Sequence, residues 1–358
     1  MRRADVRAFS STLAALIACG LVAPAMAQAG PLSSPAASGP RDTDPRSGDE
    51  PSAPLPDRLP PRALEQVAAY TREKSDGHGF VTARNLGWTT PYVKVALQAG
   101  YETWFPLIEA TAKEWLTPEG HFALSFRNDD RSFRTWSPSD ARSTATIRIG
   151  FDHGGSWSLI GKQAQGIDVR PSERTMNLDL GPVLPSPVPH FAGSDRLIVL
   201  HEFGHALGLA HEHYHAQCQA DLKFDPDAGY VETFAPGTQA APFYLPDPQG
   251  HSPGVFKSMS GAPNFWSAAD IGLNYRWTDY ARQTGLRMEN VLRGEPRSGG
   301  AGFVQSPVID RSSVMLYPLA SYLLKSGRAS LCRFLPQGPG VQLSAMDRQA
   351  FASLYPAH

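Results

Sequence analysis

The sequence predicts an α+β domain, and three observations carry that expectation. Tyr92–Leu97 and Phe122–Phe126 alternate apolar and polar residues with the period of two that marks half-buried strands. Between them, Glu102–Leu116 sets Trp104, Leu107, Ile108, Ala112 and Trp115 along one helical stripe, stopped by Pro118 and Gly120. Further on, Ser194 and Asp195 read as the cap and first residue of a helix that Leu197, Ile198 and Leu200 bed in a core and that carries a histidine run.

The remaining elements follow in chain order. Ala145–Phe151 is a third strand and Thr175–Leu180 a fourth, expected at the sheet edge. The tryptophans of the first helix are expected to be core anchors. Residues 216–300 are rich in Gly, Pro, Asp and Ser, with short apolar runs and one helix expected around Ala268–Gly285. This gives a loop-rich C-terminal half whose layout the pattern does not specify. No internal repeat is visible.

The N-terminal stretch reads differently. Met1-Arg2-Arg3 is a positive opening, Phe9–Val22 is largely apolar, and Ala25-Met26-Ala27 is a small-x-small site, so residues 1–27 read as a secretory signal peptide cut between Ala27 and Gln28. The apolar run is too short and broken to span a bilayer, so no transmembrane span is expected. A rival reading takes Leu16-Ile17-Ala18-Cys19 as a lipidation site and anchors the protein through Cys19. The residues after Cys19 stay apolar to Ala27, which favours release to the exterior or the periplasm. Residues 28–61 are rich in Pro, Ser, Ala, Gly and Asp and read as a disordered linker. Residues 62–87 read as a pro-segment or an N-terminal brace, with a short helix over Arg62–Lys74 whose Leu64, Val67 and Ala68 share a face. Residues 88–358 are the folded domain.

Removal of the leader leaves two of the three cysteines, Cys218 and Cys332. In an oxidising compartment these are expected to pair, with two buried thiols as the alternative. The formal charge is −1, and no long Lys/Arg cluster occurs, which argues against nucleic acid or an anionic membrane surface as a partner. A 41% hydrophobic content is enough for a normal core, and a monomer is expected.

The chemistry lies in His201-Glu202-Phe203-Gly204-His205-Ala206-Leu207-Gly208-Leu209-Ala210-His211. Four residues apart on a helix, His201 and His205 share a face and can reach one metal ion. Gly208 can take a positive φ, end the helix and bring His211 to the same ion. Three protein ligands leave a position for water, which is the arrangement of a catalytic rather than a structural zinc. One Zn2+ per chain is expected. Glu202, beside the first ligand, is placed to act as general base on a water whose pKa the metal lowers to about 7. The alternative for these histidines is a helix face turned to solvent. His213 and His215 are expected to be exposed on a loop, and His153 to be structural.

This motif and Ser313-Val314-Met315-Leu316-Tyr317 downstream resemble the extended zinc motif and Met-turn of the metzincin clan of zinc endopeptidases, most of all its astacin-like branch. Glu212 matches the glutamate that follows the third histidine in astacins, where it meets the new N-terminus after activation. The other reading of Glu212 is a hydrogen-bond partner that orients a ligand histidine. Tyr317 matches the astacin tyrosine that approaches the metal, which implies an oxyanion donor, with a core tyrosine as the alternative. Met315 would form an apolar floor beneath the imidazoles. Ala145–Gly150 with Asp152–Ser158, Thr175–Leu178, Leu343–Asp347 and Leu354–Pro356 look like stretches of bacterial members. The resemblance covers residues 88–358 and is weakest over 212–300. It implies a metzincin-like metalloprotease domain, with a twisted mixed sheet, a zinc-binding active-site helix and a C-terminal half carrying the Met-turn. The implied activity is a secreted metalloendopeptidase acting on protein or peptide substrates. Two alternatives stay open: a catalytically silent zinc-bearing surface or binding protein, and a zinc hydrolase of a non-peptide bond.

Overall fold

A computed structural model describes residues 58–75, 86–117, 120–182, 190–191, 194–284, 288–289, 303–304, 308–335 and 340–356. The expected signal peptide with its Ala27/Gln28 cleavage site, Cys19, and the expected linker as far as residue 57 lie outside the described residues.

Helix α1 spans Pro61–Ser75, with proline at the first helical position, where no backbone donor is needed. Ala63, Val67 and Tyr70 are buried. Arg58–Pro61, assigned on composition to the linker, are held against the domain: Arg58 N donates to Ser156 O at 3.1 Å and its guanidinium to Asp270 at 2.7 Å.

The sheet is built on β1, Tyr92–Gln98. Strands β2 (Ala123–Ser125), β3 (Thr135–Trp136) and β4 (Ile147–Gly150) all pair with β1 in parallel. Strand β5 is Trp157–Ser158 and β6 is Met176–Asn177. β6 joins β4 in parallel, and β5 closes the row antiparallel to β6, giving the order β2-β1-β4-β6-β5. The mixed sheet corrects one expectation. Thr175–Leu180 was assigned to the edge, but β6 is hydrogen-bonded on both sides and β5 is the edge. A two-residue strand in a Gly/Ser/Trp stretch has no readable alternation, which hides it from a pattern argument.

Helix α2, Phe105–Ala112, is extended by 3-10 turns at Glu102–Trp104 and Lys113–Trp115. It packs on helix α3, Asp195–Ala206, in the main core. Trp115 is fully buried and donates its indole N–H to Leu200 O at 3.0 Å; Trp88 does the same to Ala206 O at 2.8 Å. These indoles anchor α3 by burying large apolar rings without orphaning a donor. Ser194 sits at the N-cap of α3, yet its side chain makes no capping bond. Asp195 instead accepts the Gly181 N–H at 2.9 Å, tying the helix start to the segment after β6.

After α3 the chain forms α4 (Ala216–Asp221), α5 (Gly254–Ser260), α6 (Ala268–Tyr275) and α7 (Trp277–Thr284). The single helix expected over Ala268–Gly285 is two. Arg276 takes extended backbone between them, its guanidinium over the Phe224 and Phe256 rings at 4.5 and 4.7 Å. Short strands β7 (Met288–Glu289) and β8 (Phe303–Val304) pair with each other, and α8, Ala345–Leu354, follows. A second apolar cluster, including Leu222, Val255, Ile271, Tyr275 and Leu316, surrounds a Cys218–Cys332 disulfide with a Cα separation of 5.3 Å. No described helix is long and apolar enough to cross a membrane.

Candidate metal centre and cleft

Helix α3 carries His201, Glu202 and His205, all buried. It ends in a Schellman motif: Gly208 has φ of 103°, its N–H bonds His205 O at 2.8 Å, and the Leu209 N–H bonds Gly204 O at 3.0 Å. A side chain at position 208 would be strained in that backbone region. The reversal returns His211 to the helix, so that ligand atoms of His201, His205 and His211 all lie within 4.8 Å of one another. The His205 and His211 Nε2 atoms are 3.2 Å apart. Two nitrogens on one tetrahedral zinc at 2.0–2.1 Å would be about 3.3 Å apart, so the spacing suits that ion.

Each helix imidazole is oriented by a backbone carbonyl. His201 Nδ1 donates to Val314 O at 2.7 Å and His205 Nδ1 to Leu209 O at 2.8 Å. With the proton on Nδ1, the lone pair is on Nε2, which is the form a metal takes. Nitrogen donors, spacing and tautomer together fit a divalent zinc.

Val314 belongs to the Ser313–Tyr317 turn. Asp347, in the capping box of α8 with Ser344, accepts Ser313 Oγ at 2.6 Å and the Val314 N–H at 3.1 Å. The C-terminal helix therefore holds the turn that holds His201. Met315 lies against α3 at Gly204, where an added Cβ would meet its sulfur at 2.3 Å. Tyr317 is buried, its ring centroid 5.8 Å from that of His201 and 4.7 Å from that of His211. The Glu212 N–H donates to Met315 O at 2.9 Å, and its carboxylate accepts the Asp310 N–H at 2.8 Å. Burial pushes the Glu212 carboxyl up to about 7, with the Asp310 and Asp347 carboxylates adding to the rise.

Two expectations fail here. His213 and His215 are buried rather than exposed. His213 bonds Asn274 O through Nε2 at 2.7 Å and stacks on Tyr317 at 4.3 Å, so it is packing behind the metal site. His215 accepts the Gln217 N–H as the N-cap of α4. A loop assignment drawn from polarity missed that α6 covers this segment. His153 is highly exposed and bonds Asp179 at 3.0 Å, outside the metal group.

The cavity beside the histidines is lined by Ser158 and Ile160, in and just after edge strand β5, by Leu273 and Asn274 of α6, and by Tyr280 of α7. Leu59 and Leu64 of the N-terminal segment enter the same cavity beside His205 and His211. Helix α1 bonds Glu173 through Arg62 and Gln66 and packs on α7. The helical face of Leu64 and Val67 is the one sign of this placement in the sequence.

No protein-family model matches the sequence, and no curated protein does. Among solved structures, one of myroilysin is similar over 77% of this chain and 98% of that chain, with 22% identity and a TM-score of 0.46. A second myroilysin structure aligns over 78% and 89%, with 21% identity and a TM-score of 0.39. High choriolytic enzyme 1, a hatching enzyme zinc-protease from Oryzias latipes, aligns over 79% and 97%, with 13% identity and a TM-score of 0.33. Similarity at these levels assigns neither an activity nor a site residue to this chain.

Proposed function

We propose that this chain is a zinc-dependent endopeptidase in which His201, His205 and His211 hold one metal ion and Glu202 is the general base. The observation that carries the reading is the convergence of three histidine nitrogens within 4.8 Å, with a buried carboxylate next along the helix. A purely structural site would need a fourth protein ligand, and no further His, Cys, Asp or Glu joins this group among the described residues. Zinc, when bound, would supply an acidified water and a Lewis acid for a peptide carbonyl. Glu202 would take the water's proton and deliver it to the leaving amine. Tyr317, beside His201 and His211, would donate a hydrogen bond to the developing oxyanion. Met315 and its neighbours would serve as a Met-turn: the apolar floor lies against Gly204, and the Val314 carbonyl keeps His201 in register.

The wider assignment follows the sequence. Residues 1–27 would direct secretion, a compartment in which a Cys218–Cys332 bond is stable. Residues 62–87 would be a pro-segment, a role supported by Leu64 beside His205 and His211. The substrate would be a protein or peptide, and the enzyme a monomer.

The test compares wild type with Glu202→Ala, each with and without Arg58→Glu to loosen the N-terminal segment. About one zinc per chain is expected in all four proteins, with chelator-sensitive digestion of an unfolded protein only where Glu202 is intact. Absence of zinc from all four sinks the metal site. Equal digestion with and without Glu202 removes its role as base.

A further inference from the structure

The N-terminal segment shows what the cleft is shaped to hold. The Arg58 backbone N–H donates to Ser156 O at 3.1 Å, next to the free edge of β5. Its side chain reaches α6, the helix that carries Leu273 and Asn274, where Nη2 meets Asp270 Oδ2 at 2.7 Å, with Trp266 at 6.0 Å from the guanidinium carbon. The next residue, Leu59, enters the cavity with His205 and His211. One main-chain bond to an edge strand, followed by side chains set into alternate features, is how an extended peptide is held.

We propose that Asp270 is the specificity residue of this cleft and recognises a cationic side chain of the substrate, arginine before lysine. This rests on the peptidase reading of the site. A substrate strand pairing at Ser156 in the register of Arg58 carries one side chain to Asp270 and its neighbour toward the histidines. The Asp270 side chain is 18% exposed, so a charge-assisted bond there is only partly screened by water. A planar guanidinium can bond the carboxylate and lie near an indole face, which an ammonium does less well. The same carboxylate also caps α6, accepting Ser267 Oγ at 2.8 Å. Asparagine retains an acceptor for that cap while removing the charge, so it separates the two roles.

The experiment digests a random peptide library with full-length, zinc-loaded Arg58→Glu and Arg58→Glu/Asp270→Asn proteins, with cut sites read by mass spectrometry. In the first protein, Arg58 no longer occupies Asp270, and arginine is expected at one fixed position from the cut, enriched about tenfold over glutamine. In the second, that ratio is expected to fall to about one. Cleavage by the first protein without a basic preference, or a preference that survives Asp270→Asn, overturns the assignment and leaves the peptidase reading intact. If neither zinc-loaded protein cuts any peptide, the peptidase reading falls and the assignment falls with it.

Discussion

Gly204→Ala measures how tightly the Ser313–Tyr317 turn is coupled to the metal site. In an open helix interior this change stabilises by about 1 kcal/mol, because alanine restricts the unfolded chain and is the better helix former. Here the new Cβ would lie 2.3 Å from Met315 Sδ and 3.1 Å from the Trp115 ring. Ordinary contact needs roughly 3.5–4 Å, so the sulfur must retreat by more than about 1 Å. It has little room: Met315 is 2% exposed, and its turn is pinned by Asp347 on one side and by the Glu212 N–H on the other. Overpacking of this kind costs about 1–3 kcal/mol, which offsets the helix gain and leaves a net loss of up to about 2 kcal/mol. In a domain of this size the melting temperature would fall by up to about 8 °C. The metal readout is sharper. A displaced turn moves Val314 O, which holds His201 Nδ1 at 2.7 Å, so zinc affinity is expected to fall about 10- to 100-fold. Thermal melts of metal-free protein and competition with a chromogenic chelator give the two numbers. A variant that melts a few degrees higher and binds zinc like wild type refutes the coupling.

Two further outcomes follow from the rest of the fold. Replacing Cys218 and Cys332 by serine opens a loop of 114 residues, for which the chain-entropy relation gives about 4–5 kcal/mol, to be read from urea unfolding with and without reductant. Loss below about 1 kcal/mol would show that the bond does not restrict the unfolded chain. Burial, with the Asp179 carboxylate adding to it, pushes the Asp195 carboxyl up to about 6. Its value in the unfolded chain is about 3.9, so the native state binds the extra proton and stability declines as pH rises between about 4 and 6. Asp195→Asn retains an acceptor for the Gly181 N–H and is expected to be up to about 3 kcal/mol more stable than wild type at pH 8 and equal to it at pH 3. A difference between the two proteins that does not change with pH would refute the shift.

The elements legible in the sequence were those with a long or strongly spaced pattern. The tryptophan stripe of α2 and the β1 alternation could be read because both repeat over several turns or residues. The His201–His211 motif could be read because its spacing states a geometry outright, down to the glycine that must reverse the chain. Strand β5 could not, being two residues long, and it is the strand that lines the cleft. His213 was misread because a histidine in a polar stretch looks exposed until a distant helix covers it, and α6 lies some sixty residues on. Asp347 stood out in the sequence only through the resemblance of Leu343–Asp347, and its bonds to Ser313 and Val314 depend on tertiary approach. The ends of the Arg58–Asp270 pair are 212 residues apart, beyond any local rule.

The acceptors behind the helix histidines explain why so much of the chain bears on so few atoms. A metal-bound imidazole is commonly oriented by a carboxylate, which also adds negative charge to the site. His201 and His205 use backbone carbonyls instead, from the Val314 turn and the Leu209 reversal. A carbonyl fixes the tautomer and the ring direction without charge, but its position is only as firm as the backbone that carries it. At Leu209 that backbone is set locally, by Gly208 and two helix-terminal hydrogen bonds. At Val314 it is set from the other end of the domain, through Asp347 and the cap of α8. Zinc held at the proposed site would then be linked to docking of α8: whatever loosens α8 would weaken the His201 ligand, and bound zinc would stabilise α8 in return. Such reciprocity would place α8 in the same cooperative unit as the proposed metal site more than a hundred residues before it.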